Sequence, residues 1–477
     1  MTARVDVLVV GAGSSGATLA ARLCEDPRRS VLLLDAGPDE HDDTLPVALS
    51  GPDFFAAVQV PGRVWPDLQA RRTAAQGRRP YLRGRGVGGS SAVNARLAIR
   101  GLPDDYDRWA AAGAAGWGWD ALGPIFASLE ATRTSVPPGR RSALDHALVA
   151  AATALGHRQA PDHDGPQLGW AAARLSADGF GRRLHTGRTA VDPARGRPNL
   201  AVRGGALVDR VLWAGRRAAG VQLATGEELE AGAVVVCAGA VHSPAVLLRS
   251  GVDRPGLGRH LKDHPSAQAV LLLREGARVD PATAEPFGVV LRWSSGLGAE
   301  GDLQLLPMSH LGDPTMGMLM AAVMEVHSEG EVTLATSDPA VDPAVDFRML
   351  SDERDLVRLR MATRHLLALA AHPALAGLVD GVVMDAAGTV PAALADDDDL
   401  DRWLLANVGD YVHASGTCRM GDPADPETVV DPLLRVVGYE RLAVCDASVL
   451  PDLPRANTHL TCVAVAERAA QLMADWL

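Results

Sequence analysis

The sequence is poor in aromatic residues and has no long apolar run. Phe, Trp and Tyr make up 4% of its 477 residues, so a binding cavity should be lined mainly by aliphatic and small side chains. No uninterrupted apolar stretch approaches the roughly 20 residues that a membrane-spanning helix needs. The N-terminal apolar run, residues 5–10, ends directly in glycines and is too short for a signal peptide. We therefore expect a cytoplasmic protein with no integral membrane segment.

Cysteine pairs and basic clusters are missing as well. The five cysteines are an odd number with no CxxC spacing, which argues against a disulfide scaffold and against a structural zinc site. The formal net charge is −12, and no basic stripe is interleaved with aromatic residues, so nucleic acid is not an expected partner. His242, His260 and His264 are interpreted as loop or packing residues, and no bound metal is expected.

The N-terminal segment VDVLVVGAGSSGATLAARLCEDPRRSVLLLDAG is typical of a dinucleotide site. A β-branched run ends at Gly11-x-Gly13-x-x-Gly16, a helical stretch follows, and a second apolar run closes on Asp35. The first glycine permits a tight turn, the second lets backbone approach a pyrophosphate, and the third lets helix and strand pack closely. The helix N-terminus offers free N–H groups to phosphates, and an acid about 20 residues further on can bond an adenosine ribose. The motif does not separate NAD from FAD.

A second glycine-rich segment, residues 83–94, reads RGRGVGGSSAVN. Composition alone favours a flexible surface loop, but strongly patterned sequence follows at once, which favours an ordered loop. With DYDRW and GWGWD after it, the segment resembles the first signature of the glucose–methanol–choline (GMC) family of FAD-dependent oxidoreductases. Further stretches resemble family landmarks and occur in family order over nearly the whole chain: GAVHSPAVLLRSGV (239–252), GRHLKDHP (258–265), HASGTCRMG (413–421) and VCDASVLPDLPRANTHLTCVAVAERAA (444–470).

The chain departs from the family pattern in three places. The usual final glycine of the second signature is Asp253 here, and the chain is shorter than usual between Ser250 and Gly258 and from about 140 to 200. This makes it a short member, whose active site we expect to be more open. Some members carry a histidine that bonds covalently to the flavin, but that position is Val93 here. The resemblance therefore implies dissociable, non-covalent FAD.

The stretch YVHASGTCRMG, residues 411–421, holds a histidine and a cysteine five positions apart. The residues alone leave open a Cys–His nucleophile, a metal site or a base for other chemistry. The resemblance implies that His413 faces the reacting end of the flavin as general base, and Cys418 is then interpreted as a turn and core residue. The family's second polar residue falls on Asn457, with His459 as the alternative. Neutral imidazole can accept a hydroxyl proton, and an Asn amide can donate to the developing alkoxide.

The glycine motif and the resemblance together predict the residues that contact FAD. They are Gly11, Gly13, Ser14, Ser15, Gly16, Asp35, Ala36, Arg83, Gly84, Gly88, Gly89, Ser90, Asn94, Val208, Asp446, Ala447, Asn457 and Thr458. Asp446 and Ala447 follow an apolar run and so belong to a strand end, where ligands of open α/β sheets gather. The resemblance implies that Asp446 lies by the ribityl-phosphate part of FAD. Val208 resembles the adenine-side strand, and a plain core valine is the alternative.

The predicted fold is α/β, with a Rossmann-like FAD-binding domain and a discontinuous substrate domain of antiparallel or mixed sheet plus helices. We expect the FAD-binding domain to comprise residues 1–140, 196–266 and 405–477, and the substrate-binding domain to comprise 141–195 and 267–404. In the latter, SAQAVLLLRE, DLQLLPMS and EVTLAT are predicted as strands of one sheet. DERDLVRLRMATRHLLALAAHPAL is predicted as an amphipathic helix that covers it.

The expected function is FAD-dependent oxidation of a small-molecule alcohol to a carbonyl, by hydride transfer to flavin N5 with His413 as general base. Electrons would pass to a quinone, another redox carrier or oxygen, and the short chain and GTCRMG turn favour a dehydrogenase. A quinone-linked enzyme could associate peripherally with a membrane. One alternative is oxidation of a reduced mycofactocin-type carrier, because the short length and RGLPDDYDRW resemble that compact subgroup. Another is a hydroxynitrile lyase that uses the same flavin fold without redox turnover.

Overall fold

A seven-stranded sheet of mixed direction supports the N-terminal glycine turn. The computed structural model describes residues 4–474 and 476. Its strands are β1 Val5–Val10, β2 Val31–Leu34, β3 Gln69–Arg71, β4 Arg79–Pro80, β5 Thr134–Ser135, β6 Gly169–Ala172, β7 Arg174–Leu175, β8 Leu200–Arg203, β9 Val208–Ala214, β10 Arg217–Leu223, β11 Glu228–Val236, β12 Ser266–Leu273, β13 Val289–Trp293, β14 Leu303–Met308, β15 Met316–Val323, β16 Glu331–Thr333, β17 Ala344–Asp346, β18 Val379–Val383 and β19 Leu442–Val444. The sheet has the order β8-β2-β1-β11-β10-β9, and β19 pairs with the carboxyl end of β11.

The strands around β1 are parallel and buried, as a Rossmann-like core requires. β1 pairs in parallel with β2 and β11, while β9 and β10 form an antiparallel extension. Val7, Leu8 and Val9 are fully buried, because parallel strands covered on both faces read as continuous apolar runs. The predicted bounds of β1 and β2 are confirmed.

The α-helices connect and cover the sheets. They are α1 Ser14–Leu23, α2 Val47–Ser50, α3 Phe54–Ala57, α4 Pro103–Ala111, α5 Trp119–Ser128, α6 Ala143–Ala154, α7 Asp192–Ala194, α8 Gly239–Arg249, α9 Glu353–Ala371, α10 Pro373–Ala376, α11 Asp397–Asn407 and α12 Thr458–Met473. The N-terminal helix α1 packs against the C-terminal helix α12. The two ends of the chain therefore meet beside the glycine turn.

An antiparallel six-stranded sheet, ordered β18-β12-β15-β14-β13-β6, forms a second core. Helix α9 lies across β12, β14 and β15, and its N-cap is Asp352, whose side chain accepts the N–H of Arg354. The predicted strands SAQAVLLLRE and DLQLLPMS are thus confirmed as β12 and β14. The predicted covering helix is confirmed as α9, except that it ends at Ala371 and its last predicted residues form the separate α10.

The predicted strand EVTLAT belongs to a different sheet from the one expected. Its residues Glu331–Thr333 form β16, which pairs with β17 in a small sheet ordered β16-β17-β3-β4. Strand β17 in turn runs parallel to β3, from the N-terminal part of the chain. The alternation of exposed and buried side chains predicts a strand and its inward face, but it does not specify the partner strand.

The fold class is confirmed as α/β, with the seven-stranded and the six-stranded sheet as its two large sheets. The exact domain boundaries stay a prediction. Within the described residues, no helix combines the length and the apolar composition that crossing a membrane requires.

Candidate active site

A cavity of about 610 Å³ is shared by the two large sheets. Its wall includes Val10, Leu34 and Cys237, at or just beyond the carboxyl ends of β1, β2 and β11. It also includes side chains of β12, β14 and β15 in the six-stranded sheet. The carboxyl edge of a parallel sheet is where open α/β folds bind their ligands. One side of the cavity is therefore of the kind that binds nucleotides, and the opposite side is formed by the antiparallel six-stranded sheet.

The N-terminal turn is built by contacts that only glycine allows. Gly11 has a φ of 99°, and a Cβ on Gly16 would stand 1.9 Å from the carbonyl oxygen of Gly11. In the described chain no side chain caps α1, so its first turn, at Ser14 and Ser15 on the cavity wall, presents N–H groups not taken by a cap. Such a helix N-terminus is a phosphate site.

Asp35, at the end of β2, joins the two glycine-rich segments. Its Oδ2 accepts the N–H of Ala12 at 2.8 Å, and its Oδ1 accepts those of Gly37 at 2.9 Å and Gly86 at 2.7 Å. The carboxylate therefore holds the first turn against the second loop, a structural role that the sequence motif did not reveal. Its two oxygens retain capacity for a further donor such as a ribose hydroxyl.

The second loop touches the first through glycine backbone. A Cβ on Gly89 would lie 2.7 Å from the Cα of Gly13, and one on Gly84 would lie 2.3 Å from the carbonyl carbon of Gly89. Ser90 Oγ accepts the N–H of Gly84 at 3.0 Å and closes the loop. The two segments thus present side-chain-free backbone to the cavity from adjacent positions.

Most residues predicted to contact FAD line this cavity. They are Gly11, Gly13, Ser14, Ser15, Asp35, Ala36, Arg83, Gly84, Gly89, Ser90, Asn94, Val208, Asp446, Ala447, Asn457 and Thr458. Gly16 and Gly88 lie behind the wall, Gly16 against Gly11 and Gly88 where a Cβ would meet His185 Nδ1 at 2.8 Å. Val208 is both buried and on the wall, so its two interpretations do not exclude each other. The glycine cradle, the uncapped helix and the acid at the strand end fit a dinucleotide cofactor.

The Asp446 carboxylate is engaged by the protein. Its Oδ2 accepts the N–H of Gly239 at 2.8 Å and the hydroxyl of Ser243 at 2.5 Å, and its Oδ1 accepts the N–H of Ser448 at 2.7 Å. Burial raises the pKa of this carboxyl group, and the hydrogen bonds oppose the rise. The side chain therefore fastens the end of β19 to the start of α8.

His413 lies on the cavity wall and is held through both backbone and ring. Its N–H donates to Asp263 Oδ1 at 3.0 Å, and its Nδ1 lies 2.9 Å from His264 Nδ1. The Tyr81 hydroxyl donates to Asp263 Oδ2 at 2.9 Å and accepts the N–H of Ala414 at 3.2 Å. Only 8% of His413 is exposed. The ring is therefore preorganised by neighbours from two other parts of the chain.

Asn457 and His459, the two candidate partners of His413, point to different places. Asn457 Nδ2 lies 3.4 Å from His413 Nε2, whereas His459 Nδ1 lies 3.0 Å from Ser14 Oγ in the glycine turn. Asn457 is the N-cap of α12, yet its side chain makes no cap hydrogen bond, and its buried Oδ1 has no partner among the described residues. Asn is a strong N-cap, yet this side chain faces His413 and does not cap the helix. The geometry therefore favours Asn457 over His459 as the partner of His413.

Burial keeps the candidate base neutral and the cysteine unreactive. The pKa of His413 is lowered well below its usual value, first by burial and then by His264 and the Arg83 guanidinium. Neutral imidazole keeps a lone pair for a proton at neutral pH. Burial also lowers the pKa of His459 to about 4, and it raises the pKa of the fully buried Cys418 thiol. A thiol that resists ionisation is a poor nucleophile.

The wall contributed by the six-stranded sheet and its neighbours is mostly apolar, with Gln268 of β12 as a polar member. Its apolar members are Phe54, Phe55, Val270, Phe287, Leu306, Met308, Leu311, Met318 and Met320. Three of the six phenylalanines of the chain are among them, so the scarcity of aromatic residues does not extend to the cavity. Two charged pairs lie nearby: Arg72 donates through Nε to Asp410 at 2.8 Å, and Arg96 forms an ion pair with Glu285. Arg83, also on the wall, donates to the backbone carbonyls of Leu82 and Val412.

His264 was expected to be a loop or packing histidine, and it is fully buried. It also contacts His413, which the sequence did not indicate. His260 is four residues away in non-helical chain and lies against Glu329 and Glu427 instead. Potential ligand atoms of Asp263, His264 and His413 lie within 4.8 Å of one another. However, the Nδ1–Nδ1 distance of 2.9 Å fits a hydrogen bond better than two zinc ligands, which stand roughly 3.3 Å apart in a tetrahedral site.

Comparison with known proteins gives one family for both parts of the chain. The N- and C-terminal family models described as GMC oxidoreductase match residues 5–266 and 326–466. The 5-(hydroxymethyl)furfural oxidase of Methylovorus sp. (strain MP688) is 35% identical over 98% of each chain. The oxygen-dependent choline dehydrogenase of Pseudomonas aeruginosa (strain LESB58) is 30% identical over 98% of this chain and 94% of the relative.

The structural comparison agrees. The crystal structure of pyridoxine 4-oxidase from Mesorbium loti matches with a TM-score of 0.87 and 26% identity, covering 98% of this chain and 99% of that one. The predicted family and fold are thereby confirmed. This protein belongs to the GMC oxidoreductase family, FAD-dependent enzymes that act on CH–OH donors.

Proposed function

We propose that this protein oxidises a small-molecule alcohol to a carbonyl, with His413 as general base and Asn457 as hydrogen-bond donor to the reacting oxygen. The observation that carries the proposal is the pairing of His413 Nε2 with Asn457 Nδ2, 3.4 Å apart on the cavity wall. A hydroxyl oxygen that lies against both atoms can give its proton to the first and accept a hydrogen bond from the second.

The reaction divides its work between the chain and the cofactor. Bound FAD supplies the acceptor for the hydride that leaves the carbinol carbon. His413, neutral because it is buried, accepts the hydroxyl proton at Nε2. Asn457 stabilises the negative charge that develops on the oxygen as that proton leaves. Asp263 and Tyr81 keep the His413 segment in place throughout.

FAD is proposed to bind without a covalent link. The first turn of α1 would hold the pyrophosphate, Asp35 the adenosine ribose, and Val208 the adenine side, since all three line the same cavity. Val93, at the position of the flavin-linked histidine in some relatives, is a buried wall residue without a nucleophilic atom.

The cavity favours a neutral alcohol with an apolar body. Methionine and phenylalanine side chains accommodate aromatic and aliphatic groups. A cationic substrate would need a free carboxylate, but Asp410 is already bonded to Arg72. The relative named as a 5-(hydroxymethyl)furfural oxidase supports a hydroxymethyl compound. Oxygen is the proposed electron acceptor because relatives are named as oxidases or as oxygen-dependent.

The anaerobic visible spectrum tests this function. The purified protein is mixed with benzyl alcohol, 1-octanol, choline and 4-(hydroxymethyl)benzoate, and the flavin band near about 450 nm is followed. Bleaching by the two neutral alcohols and not by the charged ones is the expected result. Return of the band with peroxide formation on admitting oxygen would support an oxidase, and return only with a quinone a dehydrogenase. A band that no alcohol bleaches would overturn the proposal and favour a lyase or a peptide-derived carrier as substrate.

A pair of variants assigns the base. His413→Ala should slow bleaching by about 10²- to 10⁴-fold, the usual contribution of a positioned base, while the FAD content stays unchanged. His157→Ala removes a histidine whose ring contacts His365 and Trp293, and it should bleach like the wild type. Equal loss in both variants would contradict the assignment.

A further inference from the structure

The ring of His413 has two nitrogen contacts, and the inner one is to another histidine. His413 Nδ1 lies 2.9 Å from Nδ1 of His264, and the two rings meet edge to face at 87°. His264 is fully buried. It immediately follows Asp263, whose carboxylate accepts the N–H of His413. Two consecutive residues therefore bind His413: Asp263 accepts its backbone N–H, and His264 contacts its ring.

A contact between two Nδ1 atoms restricts where the protons can be. A neutral imidazole carries one N–H and one bare nitrogen, and both rings are neutral because burial lowers their pKa values. Exactly one proton must lie between the two Nδ1 atoms for the contact to be a hydrogen bond. If His264 donates it, His413 carries its own proton on Nε2 and has no lone pair facing the cavity. If His413 donates it, Nε2 of His413 is bare.

The surroundings select the second arrangement. The Asn457 amide nitrogen, a donor, faces His413 Nε2, and a donor requires a bare nitrogen opposite it. On the far side, the backbone carbonyls of Pro454 and Met324 act on His264 and raise its pKa against the effect of burial. These carbonyl oxygens make no hydrogen bond with His264 Nε2 in the described structure, so the Asn457 contact is what selects the tautomer in which His413 donates and His264 Nδ1 accepts.

We propose that His264 is a positioning residue that holds His413 in the tautomer whose Nε2 is free to take the substrate proton. After the transfer, the His413 imidazolium keeps a charge-assisted hydrogen bond from Nδ1 to His264. This inference rests on the proposed role of His413 as base. It adds a second histidine, 149 residues away in sequence, to the residues on which the reaction depends.

Two nearly isosteric substitutions separate the hydrogen bond from packing. In His264→Asn the amide Oδ1 occupies the position of Nδ1 and can still accept from His413. In His264→Leu a methyl group occupies that position and cannot. His163→Leu is the matched control, because His163 is equally buried, its pKa is also lowered to about 3, and its ring contacts the carbonyl of Val290 rather than His413.

The first measurement is the nitrogen NMR spectrum of the FAD-loaded protein labelled with 15N-histidine, with His413→Gln used to assign the His413 signals. In the wild type, in His264→Asn and in the control, Nδ1 of His413 should carry the proton and Nε2 should be bare. In His264→Leu the His413 signals should move to the other tautomer or to an average of both. Unchanged His413 signals in His264→Leu would overturn the proposal.

The second measurement is the anaerobic rate of flavin reduction against alcohol concentration. His264→Leu should lower the limiting rate by about 10- to 100-fold, as loss of a partner that orients a functional histidine typically does, with the apparent substrate dissociation constant unchanged. His264→Asn should restore most of the rate. An equal loss in the Asn, Leu and control variants would show a packing effect and sink the proposal. Failure of every alcohol to reduce the wild-type flavin would instead refute the proposed function, while the NMR comparison would still decide the tautomer.

Discussion

Replacing Asn457 tests whether its side chain serves the reaction, through its contact with His413, or the stability of α12, through its N-cap position. Asn457→Ala removes the amide that faces His413 Nε2 at 3.4 Å. Loss of one preorganised donor to a developing oxyanion costs about 10²- to 10³-fold in rate. Because the Asn457 side chain does not cap the helix in the described structure, the free energy of unfolding should fall by less than the approximately 1 kcal/mol that a working cap contributes. We expect a large kinetic effect with little loss of stability.

Asn457→Asp tests the charge next to the base. In the wild type the pKa of His413 is lowered by burial, so the neutral base persists below about pH 6.5, the ordinary histidine value. The acid limb of the rate profile for flavin reduction should therefore lie below that pH. A carboxylate beside the ring favours imidazolium and raises the pKa of His413. The base is then lost at a higher pH, and the acid limb should move to the alkaline side.

Stopped-flow flavin reduction under anaerobic conditions, measured across pH, checks both variants. His459→Asn is the matched comparison, since His459 contacts Ser14 in the glycine turn rather than His413. It should weaken FAD retention while leaving the acid limb in place. An Asn457→Ala enzyme as fast as the wild type, combined with a large rate loss in His459→Asn, would refute the reasoning and assign the partnership to His459.

Three other substitutions or treatments test the architecture of the site. Gly16→Ala should reduce FAD content and lower the melting temperature, because its Cβ would stand 1.9 Å from the Gly11 carbonyl oxygen. Gly77→Ala is the control and should change neither, because no atom lies within 4 Å of the position of its Cβ. Equal effects of the two substitutions would contradict the argument. Asp263→Asn keeps an amide oxygen that can accept the N–H of His413 and loses the oxygen that accepts the Tyr81 hydroxyl. It also removes a carboxyl whose pKa is raised to about 7, first by burial and then by Asp410. Because this pKa is raised in the folded state, the wild type loses stability as the pH rises from about 4 to about 7. Denaturant unfolding should therefore show that Asp263→Asn becomes more stable relative to the wild type as the pH rises through that window. A stability difference between the two proteins that does not change with pH would contradict this prediction. Acid precipitation should release all FAD into the supernatant, and yellow colour retained in the pellet would indicate a covalent link.

The features that could be predicted from sequence depend on short stretches of chain. The turn from Gly11 to Gly16 requires glycines at fixed spacing because its contacts are local. The strands β1, β2, β12 and β14 and the helix α9 could be predicted because burial on one or both faces imposes a period on the side chains. The resemblance to a family supplied His413 and Asn457, which no local pattern identifies by itself.

The features that could not be predicted are contacts between distant segments. His264 and His413 are 149 residues apart, and a histidine before a strand looks the same whether it fills a core or supports a base. Asp35 could be predicted as a strand-end acid, but its bond to Gly86 depends on where the second loop docks. The strand Glu331–Thr333 was assigned to the wrong sheet for the same reason, since pairing with β17 is not encoded in alternation alone.

The N-terminus of α12 contacts both the proposed base and the proposed cofactor-binding turn. Asn457, its N-cap, faces the base on one side, and His459, in its first turn, contacts Ser14 at the start of α1 on the other. Ser14 belongs to the glycine turn that lines the cavity. A shift of this helix end would therefore move the donor to the substrate oxygen and the contact to the phosphate-type site together. The packing of α12 against α1 fixes both at once, so the geometry of proton transfer and the seating of the cofactor depend on one helix interface.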